Sequence, residues 1–127
     1  MKNIPTQRIV PTLSCSLLLL VAACSKSGSN AAALAPEQIP TALNQVFKQS
    51  SGETKELVNN CVEASQSKDV IAAFTDFQKL SHRDDLTPEQ RAVAARAMTT
   101  TFKELRTASE TGNPAAKVVL HQYLSTR

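Results

Sequence analysis

The segment TPEQRAVAARAMTTTFKELRTASETGNP, residues 87–114, decides the fold class of this chain. Its apolar residues recur every three to four positions, which is the spacing of one helical face. They are Val93, Ala94, Ala97, Met98, Phe102 and Leu105. Gly112 stops this helix, and Asn113 followed by Pro114 supplies a cap and a first residue for the next one. The segment therefore predicts a long helix joined by a tight turn to a second helix.

Further apolar stripes with helical spacing lie on both sides of this segment. They comprise Ile39, Leu43, Val46 and Phe47; Leu57, Val58, Cys61 and Val62; Val70, Ile71, Phe74, Phe77 and Leu80; and Val119, Leu120, Tyr123 and Leu124. We expect the first helix to end near Ser51-Gly52, the second to open around Glu53, and the third to be capped by Asp69 or Ser67. No stretch alternates convincingly with a period of two. The sequence thus predicts an all-α fold, a small bundle of four or five short helices after a flexible tether.

The beginning of the chain has the pattern of a signal peptide. Lys2 and Arg8 supply positive charge, and an apolar run of seven residues, Leu17 to Ala23, follows them. A membrane-spanning helix needs roughly 20 apolar residues, so this run is too short to cross a bilayer. A basic region, an apolar region and small residues, in this order, are typical of a segment that is cleaved after export.

The end of the apolar run, Val21-Ala22-Ala23-Cys24, resembles the lipobox of bacterial lipoproteins. The resemblance implies cleavage between Ala23 and Cys24, and a diacylglyceryl group on the thiol of Cys24. Acyl chains on one residue hold a protein at the bilayer surface without a spanning helix. Cys15 is the competing position, but Thr12 stands where an aliphatic residue is expected. We therefore predict Cys24 as the lipidation site and membrane lipid as its partner.

The lipoprotein interpretation divides the chain into three parts. Residues 1–23 are the cleaved signal peptide, residues 24–35 the lipidated cysteine and a flexible tether, and residues 36–127 the helical domain. Ser25 follows the cysteine, which in enteric-type bacteria implies sorting to the outer membrane, with the domain facing the periplasm. The chain has 14 Lys and Arg against 11 Asp and Glu, but Lys2 and Arg8 leave with the signal peptide. This near balance argues against a nucleic-acid partner.

A second resemblance lies at the start of the long helix. Leu86-Thr87-Pro88-Glu89-Gln90-Arg91 is similar to the LTxxQ signature of periplasmic proteins of the Spy and CpxP type, with Leu86, Thr87 and Gln90 as the matching residues. The resemblance implies a small all-helical chaperone or stress sensor that shelters unfolded clients in a dimeric cradle. The same residues also fit a capping box, with Thr87 as the N-cap, Pro88 as the first helical residue and Gln90 two positions later.

The segment Ser81-His82-Arg83-Asp84-Asp85 has the widest chemical range, because an imidazole and two carboxylates can bind a metal or transfer protons. Its place between two helices favours turn and capping roles instead. His121 lies near the carboxyl end of the last helix, where a cation suits the helix dipole. The sequence has no HExxH, CxxC or GxSxG motif, and only three glycines. We expect no catalytic activity, no cofactor and no metal.

Cys61 has no partner once Cys15 is removed and Cys24 is modified, so we expect a buried free thiol. Two functional hypotheses remain. The first is a lipid-anchored interaction module that docks on one unknown protein of the cell envelope. The alternative is an LTxxQ-like periplasmic chaperone or envelope-stress sensor. A spacer or assembly subunit without a ligand also stays open, as does the oligomeric state.

Overall fold

The structure, a computed structural model, describes residues 32–127. The predicted signal peptide, including Ala23, the predicted lipidation site Cys24 and the tether up to residue 31 lie outside this range. The described part contains a short 3-10 helix, Pro36–Gln38, and five α-helices: α1 Ile39–Val46, α2 Gly52–Gln66, α3 Val70–Ser81, α4 Pro88–Glu110 and α5 Pro114–Ser125. It contains no strand. The predicted all-α bundle of short helices is confirmed.

The helices pack around α4, which contacts α1, α3 and α5. One apolar cluster joins α1, α2, α3 and the first half of α4; its most buried members are Ile39, Leu43, Cys61, Phe77, Leu80, Ala94 and Ala97. A second cluster joins α3, the second half of α4 and α5 around Phe74, Leu105 and Ala116. Among residues 32–127, no helix is both long enough and apolar enough to cross a membrane.

Two turns of the same type connect helices, one between α2 and α3 and the other between α4 and α5. In each turn one residue adopts a left-handed conformation, Lys68 with φ 58° and Gly112 with φ 97°. The following residue, Asp69 or Asn113, caps the next helix with its side chain. The bonds that close the turns run from Asp69 N to Ala64 O at 3.0 Å and from Asn113 N to Ala108 O at 2.9 Å. The predicted caps at Asp69 and Asn113 are therefore confirmed, and each turn reverses the chain with its backbone groups bonded.

The first helix is shorter than the sequence suggests. α1 ends at Val46, whereas the prediction placed its end near Ser51-Gly52. Phe47 closes the last turn with a bond from its N–H to Leu43 O at 2.9 Å, and its backbone leaves the helical conformation there. Its ring is nevertheless buried. The apolar stripe thus continues one residue past the helix, which explains why periodicity overestimated its length.

The predicted tether also extends too far. Leu34 is only 7 % exposed and belongs to the first apolar cluster. The Thr100 hydroxyl donates a hydrogen bond to Leu34 O, and Arg96 Nε donates to Ala32 O at 2.8 Å. Residues 32–35 therefore lie along α4 as part of the folded domain. Their alanine-rich composition resembles a linker, but one leucine with a place in the core is enough to dock them.

Candidate functional site

The LTxxQ-like residues form the start of α4. Thr87 is in an extended conformation, and its Oγ1 accepts a hydrogen bond from Gln90 N at 3.2 Å. In return, Gln90 Oε1 accepts from Thr87 N at 3.0 Å. Two of the orphan N–H groups at the helix end, those of Thr87 and Gln90, are thus bonded. The predicted capping box is present.

Gln90 also connects α4 to the turn that follows α1. Its Nε2 donates to Ser50 Oγ at 3.3 Å and lies 3.5 Å from Val46 O. Leu86, directly before the cap, is 7 % exposed and packs in the first apolar cluster. All three residues that match the signature therefore have contacts within the domain. These contacts give Leu86, Thr87 and Gln90 structural roles, so their presence does not require a client protein.

Replacing Thr87 with alanine is expected to lower the free energy of unfolding by about 1 kcal/mol, because N-cap substitutions cost 0.5–2 kcal/mol. Thr99→Ala is the matched control, since Thr99 is an exposed threonine in the middle of α4 that bonds only to Ala95 O. Alanine has the higher helix propensity there, so the control should be neutral or slightly stabilising. Urea unfolding followed by circular dichroism measures both. Equal stabilities of the two variants would contradict a structural role for the cap.

The polar segment after α3 forms an ion-pair network rather than an open cluster. Arg83 donates from Nε and Nη2 to both carboxylate oxygens of Asp85, at 2.9 and 3.0 Å, and from Nη1 to Glu53 at 3.1 Å. Thr54 adds a long hydrogen bond of 3.4 Å to Asp85. The Arg83 guanidinium holds the pKa of the Asp85 carboxyl below its usual range. Asp85 is therefore a poor proton donor at neutral pH, and the network joins the loop to α2.

The other members of this segment do not converge on a site. Nδ1 of His82 lies 2.6 Å from Gln78 O at the end of α3, and a carbonyl can only accept, so this nitrogen carries the proton. Asp84 is exposed, and its carbonyl oxygen lies 3.5 Å from Nη2 of Arg91. His121 is exposed on α5, in a different part of the fold. Across residues 32–127, no three His, Cys, Asp or Glu side chains are grouped to hold a metal ion.

Cys61 is the predicted buried free thiol. It is fully buried in α2 within the first apolar cluster and is not in a disulfide. Burial, with a smaller contribution from the negative charge of Asp76, raises the pKa of this thiol to about 12. Because the thiolate is the nucleophile, a buried thiol with a raised pKa is inert at neutral pH. Cys61 is a core residue rather than a reactive one.

The sequence did not reveal an open groove of about 960 Å³ that lies between the 3-10 helix, the α2–α3 turn and the second half of α4. Its apolar lining includes Ile39, Ala64 and Ala73, which are buried, and its charged lining includes Glu37, Lys68, Asp69, Lys103 and Glu104. These residues come from distant segments that only the fold brings together. No local pattern could have indicated the groove.

Glu104 is half-buried in this groove. Burial, followed by the negative charge of Glu37, raises the pKa of its carboxyl above the ordinary value. The folded protein therefore holds this proton more tightly than the unfolded chain does. Since stability rises with pH only where the unfolded state binds more protons, the ionisation of Glu104 lowers stability as the pH rises.

Replacing Glu104 with glutamine is expected to stabilise the domain at pH 7 by up to about 1 kcal/mol, because it removes a partly desolvated charge near the surface. The gain should shrink as the pH falls through the ordinary range of a carboxyl group, where the wild-type side chain is already neutral. Glu63→Gln, which removes a carboxylate from an exposed position of α2, is the control. Thermal unfolding between pH 3 and pH 8 measures the effect, and a gain that does not depend on pH would rule out the electrostatic explanation.

Comparison with family models, with curated proteins and with solved structures finds no match for this chain. Its function therefore has to be argued from its own residues. Among those described, the candidates are the start of α4, the groove and the charged surface. The predicted lipidation site at Cys24 precedes them in the sequence.

Proposed function

We propose that this protein is a bacterial lipoprotein whose small helical domain binds a protein partner in the cell envelope and has no catalytic activity. The observation that carries the proposal is Val21-Ala22-Ala23-Cys24 at the end of a basic and then apolar leader. The leader directs export, and the acylated cysteine holds the mature protein on the membrane. Ser25 favours the outer membrane, with the domain in the periplasm.

The position at which the folded domain starts supports this proposal. Ala32 already contacts α4, and only residues 25–31 separate it from Cys24. At about 3.5 Å per residue, a fully extended connection between Cys24 and Ala32 spans roughly 28 Å. The anchored domain thus stays close to the bilayer surface. A partner would have to be a membrane protein or another protein held near the membrane.

The internal bonding of the reactive side chains supports binding rather than catalysis. Arg83 and Asp85 are paired with each other, and Nδ1 of His82 donates to the end of α3. The pKa of Cys61 is raised by burial. General acid–base or nucleophilic chemistry needs a group that is available to a substrate with a pKa suited to the reaction. These groups instead stabilise turns and the core.

An LTxxQ-like chaperone or envelope-stress sensor is the second candidate. The observation that favours it is the groove, because an open groove with an apolar base can accept part of an unfolded client. The two candidates differ in their partners. An interaction module has one partner, whereas a chaperone contacts many clients loosely.

Site-specific photo-crosslinking in intact cells tests the proposed function. Probes at Thr107 and Lys103 report on α4 near the groove, probes at Gln78 and Lys79 report on α3, and a probe at Asn59 reports on α2. One or two recurrent adducts, identified by mass spectrometry, would support an interaction module. A heterogeneous set of envelope proteins that increases under folding stress would instead establish the chaperone alternative. The mass of the first peptide of the mature protein shows in the same samples whether Cys24 carries acyl chains.

A further inference from the structure

The charges of the domain are unevenly distributed along the chain. Residues 50–87, which include α2 and α3, contain seven acidic residues against four basic ones. Residues 88–127, which include α4 and α5, contain six basic residues against three acidic ones; the basic ones are Arg91, Arg96, Lys103, Arg106, Lys117 and Arg127. The described domain thus has an acidic part and a basic part, although its total charge is close to zero.

The basic part includes a continuous surface on α4. Five exposed residues of α4 follow helical spacing and share one face. We call them the outward stripe of α4: Arg91, Ala95, Thr99, Lys103 and Arg106. The half-buried Arg96 lies beside it. Between residues 91 and 106 the single acidic residue is Glu104, which is half-buried and lines the groove, as Lys103 also does. The neutral members of the stripe are small and cannot cover the cationic groups.

The cations on and beside the stripe are only partly neutralised within the described domain. Arg106 pairs with Glu110 at 3.4 Å, but both side chains are more than 60 % exposed. Arg91 and Arg96 donate to the backbone carbonyls of Asp84 and Ala32 rather than to carboxylates. Their positive charge therefore remains available to an anionic surface.

The acidic residues of α2 lie on the other side of the bundle. α2 packs on α1 and α3, and α4 packs on the same two helices through its buried face. Consequently α2, with its exposed residues Glu53, Glu56 and Glu63, is separated from the outward stripe by the core. The domain has a charge polarity that runs from α2 to the exposed side of α4.

The chain enters the domain beside the outward stripe. Ala32 O accepts from Arg96 Nε at 2.8 Å, so the first described residue is held on α4 itself. The connection to Cys24 spans at most about 28 Å. Attraction between exposed charges decays over a Debye length of about 8 Å, so the surface nearest to an anionic membrane determines the orientation of the domain. The outward stripe is the cationic surface beside the point where the chain enters the domain.

We infer that the outward stripe of α4 lies on anionic phospholipid headgroups and turns the acidic α2 side away from the bilayer. This inference rests on the proposed lipidation of Cys24. It assigns two roles to two surfaces: α4 orients the domain on the lipid, and the α2 side is left free for a protein partner. The two surfaces are complementary in charge. The lipid headgroups carry anionic phosphates, and α4 carries four cationic residues at or beside its outward stripe.

Fluorescence quenching on vesicles tests the orientation. The mature lipidated protein, with Thr99→Cys or Asn59→Cys, is labelled and reconstituted in phosphatidylethanolamine vesicles with about a quarter phosphatidylglycerol. Thr99 lies on the outward stripe and Asn59 is exposed on α2, while Cys61 is buried and Cys24 would be acylated. A quencher attached to lipid headgroups should reduce the Thr99 signal strongly and the Asn59 signal little. The difference should disappear in about 1 M salt, where the Debye length is near 3 Å.

Charge reversal provides a matched comparison. Lys103→Glu with Arg106→Glu should abolish the difference in quenching between Thr99 and Asn59. The control, Lys55→Glu with Lys79→Glu, changes the net charge equally and also breaks one ion pair, Lys79 to Asp76. It should leave the difference unchanged, because both lysines belong to the acidic part.

The outcomes separate this inference from the proposed function. A mature protein without acyl chains would overturn both. A lipidated protein with equal quenching at Thr99 and Asn59 would overturn the orientation alone. Equal quenching of the Thr99 signal on neutral phosphatidylcholine vesicles would also overturn the orientation, since the contact would then not depend on anionic lipid.

Discussion

Replacing Phe74 with alanine is expected to destabilise the domain by about 3–5 kcal/mol. Phe74 is only 1 % exposed and lies at the centre of the second apolar cluster. Its ring contacts Tyr123 edge to face, with centroids 5.1 Å apart, and Phe102 at 6.3 Å. The substitution thus removes both buried apolar surface and two aromatic contacts. Since small domains are stable by only about 5–15 kcal/mol, this loss is a large share of the total.

Cys61 is a natural reporter for this prediction. It lies in the first apolar cluster, where burial and its raised pKa protect it until the domain opens. If labelling requires opening, a loss of 3–5 kcal/mol should accelerate the reaction of Cys61 with a thiol reagent by more than about a hundredfold, since each 1.4 kcal/mol is a factor of ten. The readout is the rate of labelling at neutral pH, measured by mass spectrometry.

The prediction depends on whether the two apolar clusters unfold together. Both α3 and α4 pass through the two clusters, because α3 contributes Phe77 to the first and Phe74 to the second, and α4 contributes Ala97 and Leu105. We therefore expect one cooperative transition, as is usual for a domain of this size. Val118→Ala, at a position 58 % exposed on α5, is the control and should leave the labelling rate nearly unchanged.

An unchanged labelling rate in Phe74→Ala, together with a loss of helical signal, would show that α5 and its cluster melt separately from the rest. Fast labelling of the native wild-type protein would contradict the burial of Cys61 itself. If Phe74→Ala cannot be purified in folded form, Phe74→Leu keeps most of the apolar volume. It should show the same effect with a smaller magnitude.

The helices were predictable because several signals in the sequence agree on the same structure. In α4 the apolar spacing, the Thr87 cap, the proline after it and the stop at Gly112 all indicate one helix between residues 88 and 110. The cap at Asn113 was predictable for the same reason, and of the two candidates Asp69 and Ser67 it is Asp69 that caps α3. These are local features, and local features determine where helices begin and end.

The surfaces were not predictable, because they depend on packing between distant segments. Leu34 looked like part of a linker until the docking of residues 32–35 on Thr100 placed it in the core. The groove combines residues from the 3-10 helix, the α2–α3 turn and α4. The balanced net charge of the domain likewise concealed its charge asymmetry. Helical spacing alone places the cations of the outward stripe on one face of α4, but only the fold shows that the glutamates of α2 lie across the core.

Replacing Cys24 with alanine is expected to abolish lipidation and to leave the precursor uncleaved. The sulfur of Cys24 is the atom that receives the diacylglyceryl group, and alanine has no nucleophilic side chain to replace it. The acyl chains contribute about 0.8 kcal/mol for each buried methylene, so their loss removes the anchor that distinguishes a lipoprotein from a secreted protein. Intact mass and the sequence of the first residues measure acylation and cleavage in one sample.

Cys15→Ala is the matched control, because it removes the other cysteine of the leader. It should be cleaved and acylated normally, since Thr12 rather than an aliphatic residue stands three positions before Cys15. If processing is unaffected by Cys24→Ala and lost in Cys15→Ala, the lipidated residue is Cys15 instead. Normal cleavage of both variants, without acyl chains on either, would identify an ordinary secretory signal, and the outward stripe of α4 would then lose the anchor that brings it to the membrane.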